Sequence, residues 1–319
     1  MLGPGRGGSL RRGAWTDPAD GIVTIRTVRV GIIDVGANTL RLLVAAPDAR
    51  GVAKIAEDRR QLGLGEDVER YGYVTARKVA LAADTAREQA RRARKLGCER
   101  VEIAVTSPGR QSANGDEFAQ TLGLAAGLRA RVLSAEEEAV LAWKGAVSAL
   151  DELPETVAVC DVGGGSTQIV VGSRAAGPAW SRSVDLGSLR LTQRTFSAGE
   201  TLEEARREVA RAFEPIAPPL ARLVLATGGT ARALRRVAEN DRLDDHALEA
   251  AIETLAAVSP DKIAKRFRIE RSRARTLLAG TVIFAEVQRR LGLPLEPAGG
   301  GVREGMALEL LDESASALA

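Results

Sequence analysis

The sequence predicts an α/β protein built from two similar halves. Apolar β-like runs alternate with segments of helical periodicity along most of the chain. A strand ending in Asp-Val-Gly, a turn of small residues and a second apolar strand occur at "VGIIDVGANTLRLLV" and again at "VAVCDVGGGSTQIVVG". The two aspartates, Asp34 and Asp161, lie 127 residues apart, which is about the length of one domain. The recurrence indicates a duplication, or at least two halves of similar structure.

The composition is that of a soluble globular chain with room for two domains. Of 319 residues, 45% are hydrophobic and 27% are charged, and no run approaches the roughly 20 apolar residues of a membrane span. Residues 1–27 carry arginines and glycines but no apolar core, so we expect a disordered extension, or an early start codon, rather than a signal peptide. We therefore expect a cytoplasmic location and no membrane partner.

Few side chains are available for metal or redox chemistry. Cys98 and Cys160 lack a metal-type spacing and are predicted to be buried small apolar residues. The single histidine, His246, lies beside acids near the start of a predicted surface helix, so a site with several histidines is excluded. Any chemistry must use carboxylates, hydroxyls, backbone amides and arginines, with a hard metal left open.

The charge of the chain favours a polyanionic ligand only weakly. The formal net charge is +3, and arginine, whose planar fork suits phosphate, outnumbers lysine. Ordinary surface charge explains the same excess. Nucleic acid is not expected as a partner, because only 3% of residues are aromatic and no basic segment is interleaved with them.

The first half is expected to begin with the strands "VRVGIIDVG" and "LRLLVAAP". A helix over "TARKVALAADTAREQARRARKLG" follows, with Thr75 as N-cap and Gly97 as stop signal. The strand "VEIAVT", the polar loop "SPGRQSANGDEF", a short helix and the strand "LRARVL" come next. The helix "SAEEEAVLAWKGAVSAL" then begins with a capping box formed by Ser134 and Glu137.

The second half repeats the two opening strands and then becomes mostly helical. It continues with "LGSLRLTQRTF", a charged helix from about Glu200, the strand "RLVLATGGT" and a last helix after "GGG". We set the domains at residues 28–150 and 151–319, and leave open that the last helix packs back on the first domain.

Three glycine-rich loops are candidate phosphate sites. A Walker loop needs Gly-Lys-Ser/Thr before a helix, and a dinucleotide fingerprint needs a helix after the turn, but the first two loops lead into strands. Their hairpin tips allow backbone N–H groups to approach phosphate oxygens, although a tight hairpin or a plain helix entry requires the same glycines. The predicted phosphate-binding residues of these loops are Gly36, Asn38, Thr39, Gly163, Gly164, Gly165, Ser166, Thr167, Gly228, Gly229 and Thr230.

Seven ordered motifs resemble the exopolyphosphatase and guanosine pentaphosphate phosphohydrolase family: "GIIDVGANTLRLLV", "TSPGRQSAN", "LSAEEEAVLAWKG", "DVGGGSTQIVVG", "DLGSLRLTQRTF", "LATGGTARAL" and "VREGMALEL". The resemblance covers Val28 to Leu311 and is to the short form with two domains. It implies two ribonuclease-H-like domains of the actin, sugar kinase and Hsp70 superfamily with an interdomain cleft.

The resemblance implies hydrolysis of the terminal phosphate of inorganic polyphosphate or of guanosine pentaphosphate, with Mg²⁺ or Mn²⁺ as cofactor. The expected ligands are polyphosphate or guanosine penta- and tetraphosphate, the nucleotides of the stringent response, and a homodimer is left open. Asp34 and Asp161 are expected to hold the metal at the ends of their strands. Two alternatives stay open: a weakly active or inactive regulatory module that binds phosphate ligands, and a kinase that uses ATP.

Glu138 is the predicted general base. The capping box engages Glu137, whereas Glu138 shares a helix stripe with Leu141, Ala142 and Gly145, so its carboxylate should point inward, where burial raises its pKa. The resemblance places the catalytic glutamate at the same residue.

Four further residues are matched to the family. Arg110 is expected to clamp phosphate oxygens as a catalytic residue, with Asn114 in the same phosphate-facing loop. Arg41, directly after the first turn, is a predicted phosphate ligand. For Arg303, a helix-entry role is as well supported as a ligand role.

The chain departs from the family pattern at two places. Gln168 stands where the resemblance implies a glutamate of the catalytic apparatus; a glutamine can orient water but cannot take a proton or bind magnesium as strongly. Pro108 and Gly109 replace the usual residues before Arg110, which alters how its side chain is presented.

Overall fold

Two five-stranded sheets of the same topology form the protein. The computed structural model describes residues 28–49 and 51–316; the extension predicted for residues 1–27 lies outside the described residues. With the ten strands of the described residues numbered β1 to β10 along the chain, the sheet orders are β3-β2-β1-β4-β5 and β8-β7-β6-β9-β10. In each sheet the first three strands in chain order pair antiparallel and the last two join in parallel. The matching orders confirm the two similar halves predicted from the repeated Asp-Val-Gly hairpin.

The first half consists of the first sheet and the helices that pack on it. Its strands are β1 Val30–Val35, β2 Thr39–Asp48, β3 Gly51–Gln61, β4 Arg100–Val105 and β5 Arg129–Val132. Its helices are α1 Leu64–Tyr71, α2 Ala76–Lys95, α3 Ser107–Gln111, α4 Gly115–Ala126 and α5 Ala135–Ser148.

The second half carries more helices. Its strands are β6 Val157–Val162, β7 Thr167–Ser173, β8 Gly177–Val184, β9 Leu223–Thr227 and β10 Leu295–Pro297. Its helices are α6 Ser188–Arg194, α7 Leu202–Phe213, α8 Gly228–Ala238, α9 Asp245–Ala257, α10 Pro260–Arg266, α11 Arg271–Leu291 and α12 Val302–Ser316, with a 3₁₀ turn at Phe196–Ala198. In the described part of the chain no helix is long and apolar enough to cross a bilayer.

The sequence-based assignment missed several elements, among them α1, β3 and β8, and placed a loop where helix α3 lies. The predicted polar loop after β4 forms helix α3, because Pro108 sits in its first turn, where proline's fixed φ suits a helix. Strand β3 was not predicted, because it lies at the sheet edge and its mixture of apolar and charged residues shows no clear alternation. Cys98 is only half-buried, whereas Cys160 is buried and His246 is exposed, as predicted.

Helices α5 and α12 pack between the two sheets. The α12 residues Met306 and Leu310 share an apolar cluster with β1 of the first half. Helix α5 contacts the second sheet through Trp143 and Val147. The last helix therefore packs back on the first sheet, while the domain boundary predicted at residue 150 stays a prediction.

Glycines let α5 approach the start of α12 at backbone distance. A Cβ added to Gly145 would lie 2.1 Å from the carbonyl oxygen of Gly301, and one added to Gly305 would lie 2.1 Å from that of Leu141. Both distances are impossible for non-bonded atoms, so only glycine fits. The contact fixes the N-terminus of α12 against α5, the two helices that carry Arg303 and Glu138.

Replacing Gly145 with alanine should therefore destabilise the fold. We expect Gly145→Ala to lower the free energy of unfolding by about 1–3 kcal/mol, the usual cost of overpacking, as measured by urea denaturation. Gly299→Ala is the matched control, because a Cβ at Gly299 meets no atom within 4 Å; its effect should stay within about 0.5 kcal/mol. Equal effects of the two substitutions would contradict the close approach.

Candidate active site

The hairpins of both halves face one cavity of about 100 Å³. It lies at the ends of β1 and β6, as expected for a site assembled from the ends of core strands. The cavity brings together thirteen of the residues singled out from the sequence: Asp34, Gly36, Asn38, Thr39, Arg41, Glu138, Asp161, Gly163, Gly164, Ser166, Gly228, Gly229 and Arg303. The residues singled out that do not line it are Arg110, Asn114, Gly165, Thr167, Gln168 and Thr230.

The two hairpin tips have the same hydrogen-bonded turn. The N–H of Gly36 donates to the carbonyl of Thr39 at 3.0 Å, and the N–H of Gly163 donates to that of Ser166 at 3.0 Å. Within the described residues, the amides of Ala37, Asn38, Gly164 and Gly165 have no acceptor. Unpaired amides on adjacent tip residues form the concave donor sets that bind phosphate oxygens.

Glu138 is buried in the first turn of α5 and lines the cavity. The predicted capping box is present, since Ser134 Oγ accepts from the Glu137 amide at 3.0 Å and Glu137 Oε2 accepts from the Ser134 amide at 2.7 Å. Glu138 is left to point inward, with 8% of its surface exposed. Burial raises the pKa of Glu138 to about 7, against the opposing effect of Arg110. Both the orientation and the direction of the shift agree with the sequence prediction.

Arg110 holds Glu138 and does not line the cavity. Its Nη2 donates to Glu138 Oε2 at 2.6 Å, and its Nη1 donates to the carbonyl oxygen of Leu133 at 2.9 Å. The reason lies in Gly109, where a Cβ would come within 2.9 Å of Val132. Glycine there lets α3 pack directly on β5, which turns Arg110 toward α5. Arg110 thus positions Glu138 in this structure, and its Nη2 also lies 3.4 Å from Ser166 Oγ in the cavity wall. Its role as a phosphate clamp stays a prediction.

Gln168 lies behind Glu138, with 2% of its surface exposed. Its Nε2 donates to Ser166 Oγ at 2.9 Å and to Ser183 Oγ at 3.2 Å, and it lies 3.4 Å from Glu138 Oε2. Gln168 is not among the residues that line the cavity. Gln168 thus contacts both Glu138 and Ser166, and its predicted catalytic role stays a prediction.

Asp34 and Asp161 fit a hard cation. Both line the cavity, and neither carboxylate has a hydrogen bond or ion pair within the described residues. Burial raises the pKa of each carboxyl group, and the charges of nearby arginines, Arg41 foremost for Asp34 and Arg232 for Asp161, offset only part of that rise. In the described ranges no group of three or more metal-binding side chains occurs, but magnesium commonly uses one or two carboxylates together with waters and substrate oxygens. Gly228 makes room for this arrangement, since a Cβ there would lie 2.4 Å from Asp161 Oδ1.

The side chains of three predicted phosphate ligands, Asn114, Thr167 and Thr230, are hydrogen-bonded within the protein, and their role as ligands stays a prediction. The Asn114 side chain accepts from the Val74 amide and donates to the Val74 carbonyl, each at 2.9 Å. Thr167 donates to the carbonyl of Leu186 at 2.7 Å, because its side chain is turned into the protein. Thr230 lies in the first turn of α8, not at the N-cap, and donates to the carbonyl of Val162 at 2.9 Å.

Gly165, whose amide is one of the unpaired donors of the second hairpin tip, also packs on α3. A Cβ there would lie 2.6 Å from Ser107 Oγ, so the residue is glycine because the two halves meet at this point. Its carbonyl accepts from Gln111 Nε2 at 3.1 Å.

Sequence reasoning missed two arginines of the cavity wall, Arg232 and Arg273. Arg273 is 8% exposed and has no carboxylate partner among the described residues. Burial, followed by the charges of nearby arginines, lowers its pKa to about 9. A signal was available: Leu277 and Gly280 follow Arg273 at i+4 and i+7, the same inward-facing stripe that identified Glu138.

Arg41 and Arg303 both line the cavity, but among the described residues only Arg303 has a carboxylate partner. Burial lowers the pKa of Arg41 to about 10, and its Nε donates to Thr39 Oγ1 at 2.9 Å. Arg303 is paired with Glu57 at 3.1 Å at the start of α12. The charge of Arg41 is therefore not balanced by a direct ion pair, whereas that of Arg303 is.

Comparison with known proteins finds a consistent set of relatives. The sequence model of the Ppx/GppA phosphatase family matches residues 43–314. An "Exopolyphosphatase 2" of Mycobacterium tuberculosis is 35% identical over 229 residues, 66% of this chain and 71% of the relative. The solved Aquifex aeolicus PPX-GPPA enzyme is 25% identical, with a TM-score of 0.73 over 88% of this chain and 99% of that one. A Cytophaga hutchinsonii exopolyphosphatase shares the fold at 18% identity, with a TM-score of 0.78 over 89% and 98% of the two chains.

These findings, with the two sheets of equal topology, confirm the predicted fold class. The chain has the two-domain α/β fold of the actin, sugar kinase and Hsp70 superfamily.

A glutamate at position 168 should make stability depend on pH. Gln168→Glu places a second buried carboxylate beside Glu138, so the shared pKa values rise above those of the unfolded chain. The folded state then binds more protons, and stability falls as pH rises. The measurement is the decrease in the free energy of unfolding that Gln168→Glu causes relative to the unmodified protein. This decrease should be at least about 1.4 kcal/mol larger at pH 8 than at pH 5, which corresponds to one pKa unit. Gln168→Leu is the control and should lower the free energy of unfolding by the same amount at both pH values. If Gln168→Glu also lowered it equally at both pH values, the contact between residue 168 and Glu138 would be refuted.

Proposed function

The chain belongs to the Ppx/GppA phosphatase family, and we propose that it hydrolyses the terminal phosphoanhydride bond of inorganic polyphosphate. The observation that carries the proposal is Glu138, a buried carboxylate with a pKa of about 7 in the wall of a cavity lined by unpaired amides and arginines. The name of the M. tuberculosis relative supports the same substrate.

The reaction needs a base for water, and Glu138 has an oxygen free for this task. Arg110 and Gln168 contact its Oε2, whereas Oε1 has no hydrogen-bond partner among the described residues. As the water oxygen bonds to the terminal phosphorus, Glu138 Oε1 takes the water proton. The bridging P–O bond breaks, and its electron pair leaves with the shortened chain.

The hairpin tips and arginines bind the phosphate in this proposal. The free amides of Asn38 and Gly164 donate to its oxygens from opposite halves. Arg41 and Arg273 offset the negative charge that gathers on the transferred group, and their burial strengthens the interaction. Asp34 and Asp161 would hold Mg²⁺ or Mn²⁺, which would neutralise phosphate charge when bound.

Guanosine pentaphosphate as a second substrate is a narrower proposal that rests on the family resemblance. The alternative of a binding module rests on Gln168, which removes one carboxylate from the set that the family pattern implies. A cytoplasmic location and a homodimer stay predictions.

Phosphate release decides between hydrolase and binding module. With magnesium or manganese, the purified protein should release phosphate from polyphosphate, and Glu138→Gln should lower kcat by about 10²–10⁴-fold. Glu136→Gln, in the same helix turn but exposed, should keep the activity. Since Glu138 must be deprotonated to act, the rate should rise with pH through about 7. Tight polyphosphate binding without release would favour the binding module instead.

The metal assignment has a separate test. Asp34→Asn and Asp161→Asn should each weaken Mn²⁺ binding, measured by calorimetry in the presence of inorganic phosphate, by about tenfold or more, because each removes a charged ligand. Asp116→Asn, an exposed site on α4, serves as the control. Unchanged Mn²⁺ affinity in both cavity variants would exclude these carboxylates as ligands.

A further inference from the structure

A second cavity, of about 420 Å³, opens from the first. The residues that line both cavities are Arg41, Gly229, Arg232, Arg273 and Arg303. The smaller cavity holds only a few water-sized groups. The shared wall gives a ligand longer than one or two phosphates a path into the larger cavity.

The second cavity is strongly basic. Seven arginines line it: Arg41, Arg59, Arg232, Arg236, Arg268, Arg273 and Arg303. Only Arg59 and Arg303 have a carboxylate partner within the described part of the chain. The remaining lining includes Ile269 and Ala233 but no aromatic residue. Such a wall suits a charged chain without a flat ring better than a nucleoside, which binds by stacking on an aromatic side chain.

The three acids of this cavity are not equivalent. Glu57 pairs with Arg303, and Asp58 lies 3.6 Å from Arg92, which is not among the residues that line the cavity. Glu270 alone pairs with Arg59, and the pair joins strand β3 of the first half to the N-cap of α11 in the second. Their side chains are 35% and 46% exposed, so the ion pair is accessible to a competing anion.

We propose that the second cavity is a distal subsite for the phosphates behind the terminal one, and that Glu270 determines chain-length specificity by occupying Arg59 until a chain reaches it. This inference rests on the proposed polyphosphate hydrolysis. A phosphate can replace the carboxylate because arginine binds both with the same planar fork. The exchange is readily reversible, because exposed ion pairs contribute little to stability.

The exchange makes binding depend on length. Pyrophosphate ends in the first cavity and leaves the Arg59–Glu270 pair intact. A longer chain gains Arg59 as a ligand but must displace Glu270. Removing the Glu270 charge should therefore favour long chains selectively, and only while Arg59 is present.

The test measures binding of pyrophosphate and of a long-chain polyphosphate fraction to full-length protein at constant ionic strength. All variants carry Glu138→Gln, so that the ligand is not consumed. Glu270→Gln should tighten long-chain binding by about two- to fivefold, the range expected for an exposed ion pair, with a smaller change for pyrophosphate. Arg59→Gln should weaken long-chain binding, and adding Glu270→Gln to it should have no further effect. Glu249→Gln, which breaks the exposed Arg206–Glu249 pair elsewhere, is the matched control and should leave both affinities unchanged.

Two results would overturn the proposal. One is an equal effect of Glu270→Gln on both ligands, and the other is a full effect of Glu270→Gln in the absence of Arg59; either would indicate a general charge effect. The hydrolase proposal fails separately: it falls if the unmodified protein releases no phosphate, whereas the subsite stands or falls on these affinities alone.

Discussion

The site depends on burying the Glu138 carboxylate against Arg110. Without burial the carboxylate would be fully ionised and a weak base at neutral pH; without Arg110 its charge would have no partner in the protein interior. The balance leaves a carboxyl group that titrates near pH 7 and keeps one oxygen free. Other features of the fold place this pair beside the cavity at the two hairpin tips.

Glycine supplies the close contacts that this placement requires. Gly109 brings α3, and with it Arg110, against the first sheet, and Gly145 brings α5 against the start of α12. At Gly187 an added Cβ would lie within 2.6 Å of the Gly164 carbonyl oxygen, which fixes the second hairpin tip. Backbone packed on backbone leaves little freedom for side-chain adjustment, so the two hairpin tips and Glu138 are held by rigid elements.

Local sequence rules predicted what depends on local structure. The glycine turns predict the repeated hairpins, and the capping box together with helix periodicity predicts the direction of Glu138. The structure shows both the hairpins and the inward direction of Glu138. The directions of Gln168 and Arg110 and the basic cavity depend instead on tertiary packing, which local sequence patterns do not show. Gln168 lies on β7, which is buried on both faces, so alternation could not show which way it points. Arg110 is turned by the packing of α3, and the basic cavity combines residues of β2, β3, α8, α11 and α12, which are far apart in the sequence.

The most direct measurement of the central claim is the titration of the Glu138 carboxyl carbon by ¹³C NMR, assigned by comparison with Glu138→Gln. The account predicts a midpoint near 7, raised by burial from the ordinary value of 4.5. It also predicts that Arg110→Met moves the midpoint higher, because the guanidinium stabilises the charged form. A midpoint near 4.5 would contradict the account, since Glu138 would then be a solvated carboxylate and not a buried base.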